Sequence, residues 1–254
     1  MSANHVVALH TRVWNRGARH RALLLHGLGS DGSTMWRLAD HLAGRGYEAV
    51  APDLRGQGLS PPAASYTLNE LAADVRALGS DWDLIVGHSV GGAVAAVLLA
   101  DGGFAERGVL LDPIMVLPEE SRPGVQTALL GEVGGALTLD SVRHDQPSWS
   151  EEDVFRLVRA SQGISPHVVR RILADNRPWD LVDRAASWTT PVTILAADPS
   201  LSELFSDADG HRIEDVCDTV RIVTVAEAGH SIHRDAPETV LAALDHAIGE
   251  LPPH

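Results

Sequence analysis

The chain has 254 residues, 44% of them hydrophobic, which is enough apolar material for the core of one α/β domain. Its net charge of −14 repels phosphate backbones and anionic lipid, and so argues against nucleic acid or a membrane surface as partner. Cys217 is the single cysteine, so an intrachain disulfide is excluded and a reducing, cytoplasmic setting is expected. The opening Met1-Ser2-Ala3-Asn4-His5 lacks a basic region followed by an apolar run, and no apolar stretch reaches membrane-spanning length. The thirteen histidines are scattered, with no His-Glu-x-x-His or Cys-x-x-Cys spacing, and no metal is expected.

Taken in chain order, short apolar runs alternate with longer helical patterns. Val6 to Leu9 and Thr11 to Trp14 predict an opening hairpin, and Ala22 to Leu25 a buried strand. A helix is predicted over Thr34 to Arg45, with Met35, Leu38 and Leu42 inward and Gly46 as its stop. Glu48 to Ala51 follows as a strand, Leu68 to Leu78 as a helix, Asp83 to Val86 as a strand and Val90 to Ala100 as an apolar helix. Val109 to Leu111, Val192 to Ala197 and Val220 to Ala226 read as strands, and a final helix is predicted from Pro237 to Ile248 with proline in its first turn. Such alternation implies a mostly parallel, doubly wound sheet covered on both faces, with ligands bound at the carboxyl ends of its strands. Ile114 to Thr190 breaks the pattern with helical runs at Asp153 to Ala160 and Pro166 to Ala174. It is read as a small helical cap over residues 114–190, inserted after the strand ending near Asp112, with residues 1–113 and 191–254 forming the core.

Leu84-Ile85-Val86-Gly87-His88-Ser89-Val90-Gly91-Gly92 sets a strand, a Gly-x-Ser-x-Gly turn and a small-residue helix in sequence. This is the nucleophile-elbow arrangement, in which a strained turn projects the serine hydroxyl above the sheet. A serine hydroxyl needs a base, and His230 supplies one after the strand and glycine turn of Val223 to Gly229, with His233 as competitor. His26-Gly27-Leu28-Gly29 follows the first apolar strand and offers an oxyanion hole from the backbone N–H groups of Leu28 and Val90. The turn Asp53-Leu54-Arg55-Gly56-Gln57-Gly58 lacks the lysine of a phosphate loop and reads as structural, with Asp53 and Arg55 bonding the backbone.

With these residues, the chain resembles the α/β-hydrolase fold family from Leu23 to nearly its end, the cap excepted. The resemblance implies a triad of serine, acid and histidine in that chain order, and no metal or organic cofactor. It also sets aside dehalogenases and epoxide hydrolases, which carry an aspartate where this chain has Ser89. The family's usual acid follows the strand before the last, which here points to Asp198, although the customary glycine of that turn is missing. The alternative acid is Asp112, at the end of the strand after the elbow helix. The expected activity is hydrolysis of a small apolar carboxylic ester or lactone through an acyl-serine. The rival readings are a slow-turnover receptor of the same fold and a hydrolase of a carbon–carbon bond next to a ketone. Trp36, Met115 and Trp179 are expected to line the pocket, and neutral acyl groups are expected to be preferred because no arginine lies beside these motifs. Oligomeric state is not legible.

Overall fold

The computed structural model describes residues 6–249, so the Met1–His5 stretch lies outside the described residues. The strands are β1 (Thr11–Trp14), β2 (His20–Leu25), β3 (Tyr47–Pro52), β4 (Trp82–His88), β5 (Ala105–Leu111), β6 (Val116–Leu117), β7 (Trp179–Asp180), β8 (Val192–Ala196) and β9 (Val220–Thr224). The helices of the core are α1 (Trp36–Gly44), α2 (Leu68–Arg76) and α3 (Val90–Leu99). Between β5 and β8 come α4 (Arg122–Leu130), α5 (Leu139–Asp145), α6 (Glu151–Gln162), α7 (Pro166–Asp175) and α8 (Val182–Ala185). The chain closes with α9 (Asp207–Glu214), α10 (Ile232–Asp235) and α11 (Pro237–Gly249).

Seven strands form one sheet in the order β1-β3-β2-β4-β5-β8-β9, all parallel except β1. The predicted hairpin is not formed. Thr11 pairs with Pro52 across β3, and residues 6–9 are not a strand. The reason is long-range: Val7 donates its N–H to the Asp74 side chain at 2.6 Å, and His10 donates to Ser60 Oγ at 2.9 Å, so this segment spends its backbone on the core rather than on β1. Both sheet faces are buried, which is why β2, β4 and β5 end in continuous apolar runs. One face packs α1 and α11 through Leu38, Leu42, Val240 and Leu244. The other packs α2 and α3, and α3 is buried along its whole length.

Chain order sends β3 to one side of β2 and β4 to the other, so the crevice between the carboxyl ends of β2 and β4 is the topological switch point. Register then decides what meets there. Leu25 pairs with Gly87, and His88 with Leu111, so the His26 turn, Ser89 and Asp112 emerge side by side.

The helical segment between β5 and β8 leaves and returns through a short ribbon, in which Val116 pairs with Asp180 and Leu117 with Trp179. Thr138, Ser150 and Ser165 cap α5, α6 and α7, each accepting a backbone N–H from the first turn. This segment is tied down by polar bonds as well as packing. Asp175 accepts the Tyr66 N–H at 2.8 Å, and Asn176 accepts the Leu68 N–H at 2.7 Å. Val168, Val169 and Ile172 belong to the same apolar cluster as Leu54 and Tyr66, so this helical segment shares one interior with the residues around the sheet.

Candidate active site

Ser89 occupies the left-handed region (φ 55°, ψ −119°), the strained conformation that aims its side chain out of the turn between β4 and α3. The glycines around it serve close packing. A Cβ on Gly87 would lie 2.5 Å from the Gly91 carbonyl oxygen, and one on Gly91 would lie 2.4 Å from the Leu25 carbonyl oxygen. Only with both positions bare can α3 start this close to β2 and β4.

His230 approaches from the loop after β9. Its Nε2 lies 2.9 Å from Ser89 Oγ, and its Nδ1 lies 2.6 Å from Asp112 Oδ2. The competitor His233 is buried and packs its ring 4.7 Å from that of His88, so it does not take this place. His88 fixes the loop in turn: its Nε2–H donates to the His230 carbonyl at 2.9 Å. Burial drives the pKa values of His88 and His233 well below the ordinary histidine value, and the nearby charges of His230 and Arg234 add to this.

The sequence preference for Asp198 as the acid is corrected here. Asp198 sits at the surface side of its turn, where it accepts from Ser200 N–H and Oγ and from the Glu227 N–H at 3.0 Å. The Ser200 hydroxyl, followed by the Glu227 N–H, holds its carboxyl below the usual range. Asp198 therefore clamps the loop that carries His230 without touching the imidazole. Asp112 is fully buried with φ at 41°, and the turn before Pro113 swings its carboxylate toward His230. Its remaining lone pairs accept the Ala197 N–H and Ser202 Oγ–H, both at 3.1 Å, so the buried charge is fully solvated by protein.

The turn from His26 to Gly29 is locked by His26. One ring nitrogen donates to the Gly27 carbonyl at 2.8 Å and the other accepts the Leu54 N–H at 3.0 Å, a pattern that only the neutral ring satisfies. Burial lowers the pKa of His26 accordingly. Gly29 N–H is held by Gln57 Oε1 at 3.1 Å. Between these anchors, the Leu28 N–H finds no protein acceptor among the described residues, and neither does the Val90 N–H. Both residues line the same cavity as Ser89. Asp53 and Arg55 are structural, as their turn suggested: Asp53 accepts the Gly32 and Leu59 N–H groups, and Arg55 pairs with Asp74 and donates to the Ser65 carbonyl.

A cavity of about 900 Å³ opens above Ser89, walled by Leu28, Ile114, Val125, Leu129, Leu157 and Trp149 among others. The three residues expected to line it do not. Trp36 donates its indole N–H to Asp153 at 2.8 Å and lies between the Arg37 and Arg156 guanidinium groups, so it joins α1 to α6. Met115 is wholly buried, and Trp179 donates to the Ile114 carbonyl at 2.9 Å to brace the ribbon. Large side chains at the neck of an insertion are spent on holding it. The expectation of a pocket without arginine is also overturned, because Arg234 lines the cavity. Its only signal in the sequence is its place four residues after His230. Glu132 and Trp149 were likewise not assigned to the pocket, and nothing in their neighbouring sequence marks them.

The chain belongs to the alpha/beta hydrolase family, whose model matches residues 22–243. It is similar to Lipase LipV of Mycobacterium tuberculosis, at 37% identity over 117 residues; the match takes in 44% of this chain and 44% of the lipase, so less than half of the lipase is spanned. Among solved structures it is similar to an E-2-(acetamidomethylene)succinate hydrolase, with TM-score 0.79 and 20% identity over 95% of this chain and 99% of that one. It is also similar to the enol-lactonase from Burkholderia xenovorans LB400, with TM-score 0.74 and 18% identity over 96% and 97% of the two chains. At such identities the structural likeness speaks to fold. Among the described residues no helix is long and apolar enough to cross a membrane.

Proposed function

We propose that this protein cleaves a small carboxylic ester or lactone through an acyl-serine intermediate, in the cytoplasm and without a cofactor. The observation that carries the reading is the hydrogen-bonded line from Ser89 Oγ through His230 to Asp112, ending beside two unclaimed backbone N–H groups at the floor of a cavity. In this reading His230 Nε2 takes the Ser89 proton as Oγ attacks the carbonyl carbon, and Asp112 holds the ring in the Nδ1–H tautomer and stabilises its charged form. The Leu28 and Val90 N–H groups receive the oxyanion. Collapse expels the alkoxide, which takes the proton from His230; in a lactone it stays tethered to the acyl group. His230 then deprotonates water, which attacks the acyl-serine and frees Ser89. The apolar wall of Leu28, Ile114, Val125 and Leu129 suits the hydrocarbon body of such a substrate. The name of the matched lipase supports an ester bond.

The test is turnover of p-nitrophenyl esters of increasing chain length, beside a panel of lactones, by the wild type and by Ser89→Ala. Turnover that falls at least a thousandfold in Ser89→Ala, with unchanged melting, is expected. Turnover surviving in that variant overturns the reading, and a single burst followed by arrest replaces it with a slow receptor.

A further inference from the structure

Arg234 is set apart by its situation. It is 6% exposed, and it is the one arginine or lysine along the cavity wall. Among the described residues, no carboxylate lies within 4.0 Å of its guanidinium. Nη1 donates to Ser231 Oγ at 3.1 Å, and the plane rests 5.0 Å from the centre of the Trp149 ring. That leaves the edge formed by Nε and Nη2, which presents two parallel donors without a protein acceptor. Burial lowers its pKa while Asp153, Asp235 and Glu132 pull it back up, so the charge is kept by acidic groups at a distance.

Two of those three groups are committed elsewhere. Asp153 accepts from Arg37, Trp36 and Ser150. Asp235 accepts the Trp149 indole N–H at 2.6 Å and the Gly229 N–H at 2.9 Å. Of the three, only the Glu132 carboxylate has no hydrogen-bond partner among the described residues, and Glu132, exposed on one side, lines the same cavity. Burial pushes its pKa up, against the pull of His230 and Arg234. Glu132 is thus a loose counter-charge for Arg234. A buried guanidinium with a free bidentate edge, in the same cavity as Ser89, is built for a planar anion.

We infer that Arg234 recognises a free carboxylate on the substrate, so that the ester or lactone cleaved at Ser89 is an anionic half-ester or carboxylate-bearing lactone and Glu132 yields its place when that anion binds. This rests on the hydrolase reading above. It also turns round the preference for neutral acyl groups expected from the sequence. The apolar wall holds the hydrocarbon chain, and Arg234 holds its charged end. The carboxylates Asp145, Glu203 and Glu227, exposed like Glu132, also line the cavity, and Arg234 is the one guanidinium among the described lining residues to offset them.

The experiment uses two matched pairs. Phenyl hydrogen adipate against its ω-carboxamide places the carboxylate on the acyl side. The butyrate esters of 4-hydroxybenzoate and 4-hydroxybenzamide place it on the leaving group. In one pair the wild type should favour the anion at least tenfold in kcat/KM. Arg234→Gln should remove that preference by ten- to hundredfold, mainly through KM, the range expected when a charge-assisted bond to a buried group is lost. Glu132→Gln should raise the anion preference at least threefold. Absence of anion preference in both pairs overturns the inference, as does an Arg234→Gln that slows both members of the pair alike. If Arg234→Gln does not fold, wild-type selectivity and the opposite sign of Glu132→Gln decide. Should no ester be turned over, the hydrolase reading fails separately. Calorimetric binding of the same two anions to Ser89→Ala, with and without Arg234→Gln, then decides the Arg234 inference.

Discussion

Replacing Asp112 by asparagine is the perturbation that most directly separates the two aspartates. The side chain keeps its size, so no cavity opens. Its environment dictates which way the amide faces. The Ala197 N–H donates to Oδ1 at 3.1 Å, so the amide oxygen must face Ala197 and the NH₂ must face His230 Nδ1. The ring then carries its proton on Nε2 and cannot accept one from Ser89. The opposite flip sets two donors, the NH₂ and the Ala197 N–H, against each other in a buried site. That flip would keep the base, but the opposed buried donors disfavour it, so the first arrangement prevails and the base is lost. By analogy with the same change in serine-protease triads, kcat should fall about 10⁴-fold. At about 1.36 kcal/mol per decade this is about 5.4 kcal/mol of transition-state stabilisation. Asp198→Asn should cost less than tenfold, since the Asp198 carboxylate accepts from Ser200 and Glu227 and not from His230. The assay is steady-state hydrolysis of p-nitrophenyl butyrate, with thermal melting of each variant as a check on folding. An Asp112→Asn enzyme with more than a tenth of wild-type kcat would refute the reasoning, as would an Asp198→Asn enzyme equally impaired.

Stability should fall as pH drops below about 6.5. Burial lowers the pKa values of His26, His88 and His233, so the unfolded chain binds protons there that the native chain refuses. Glu132, whose pKa is raised, takes up a proton in the native state and opposes them in part, so the three imidazoles set the sign. Urea unfolding at pH 7.0, 6.0 and 5.5 reads this slope, and a flat profile would show the imidazoles to be solvated. Gly91→Ala should cost about 1–3 kcal/mol, because its Cβ would sit 2.4 Å from the Leu25 carbonyl and push α3 off the sheet. A melting temperature lower by roughly 2–12 °C is expected for a domain of this size, together with reduced turnover, and a wild-type melting curve would contradict the close approach.

Much of the fold was readable because its information is local. The runs at Leu23 to Leu25 and Leu84 to Val86 are apolar on both faces, which only a covered parallel strand requires, and all the predicted core strands are present save the first hairpin. That hairpin failed because Val7 and His10 are claimed by Asp74 and Ser60, residues far along the chain. The positions of Ser89 and His230 followed from short patterns, a glycine-flanked serine between strand and helix and a histidine after the last strand.

What the sequence by itself determined, then, is the set of features whose pattern is local: the elbow at Ser89, the glycine turn from His26 to Gly29 and the parallel sheet that carries them. Only the tertiary structure decided between Asp112 and Asp198. Both end an apolar strand before a proline, and they differ in which one the pairing of β5 with β4 sets beside the elbow. It alone showed that Trp36 and Trp179 brace the insertion while Trp149, Glu132 and Arg234 face the cavity. The physical reason is range. A turn or a strand is stabilised by residues a few positions apart, whereas the His230–Asp112 and Trp149–Asp235 contacts join residues 118 and 86 positions apart and exist only once the sheet register and helix packing have closed around them.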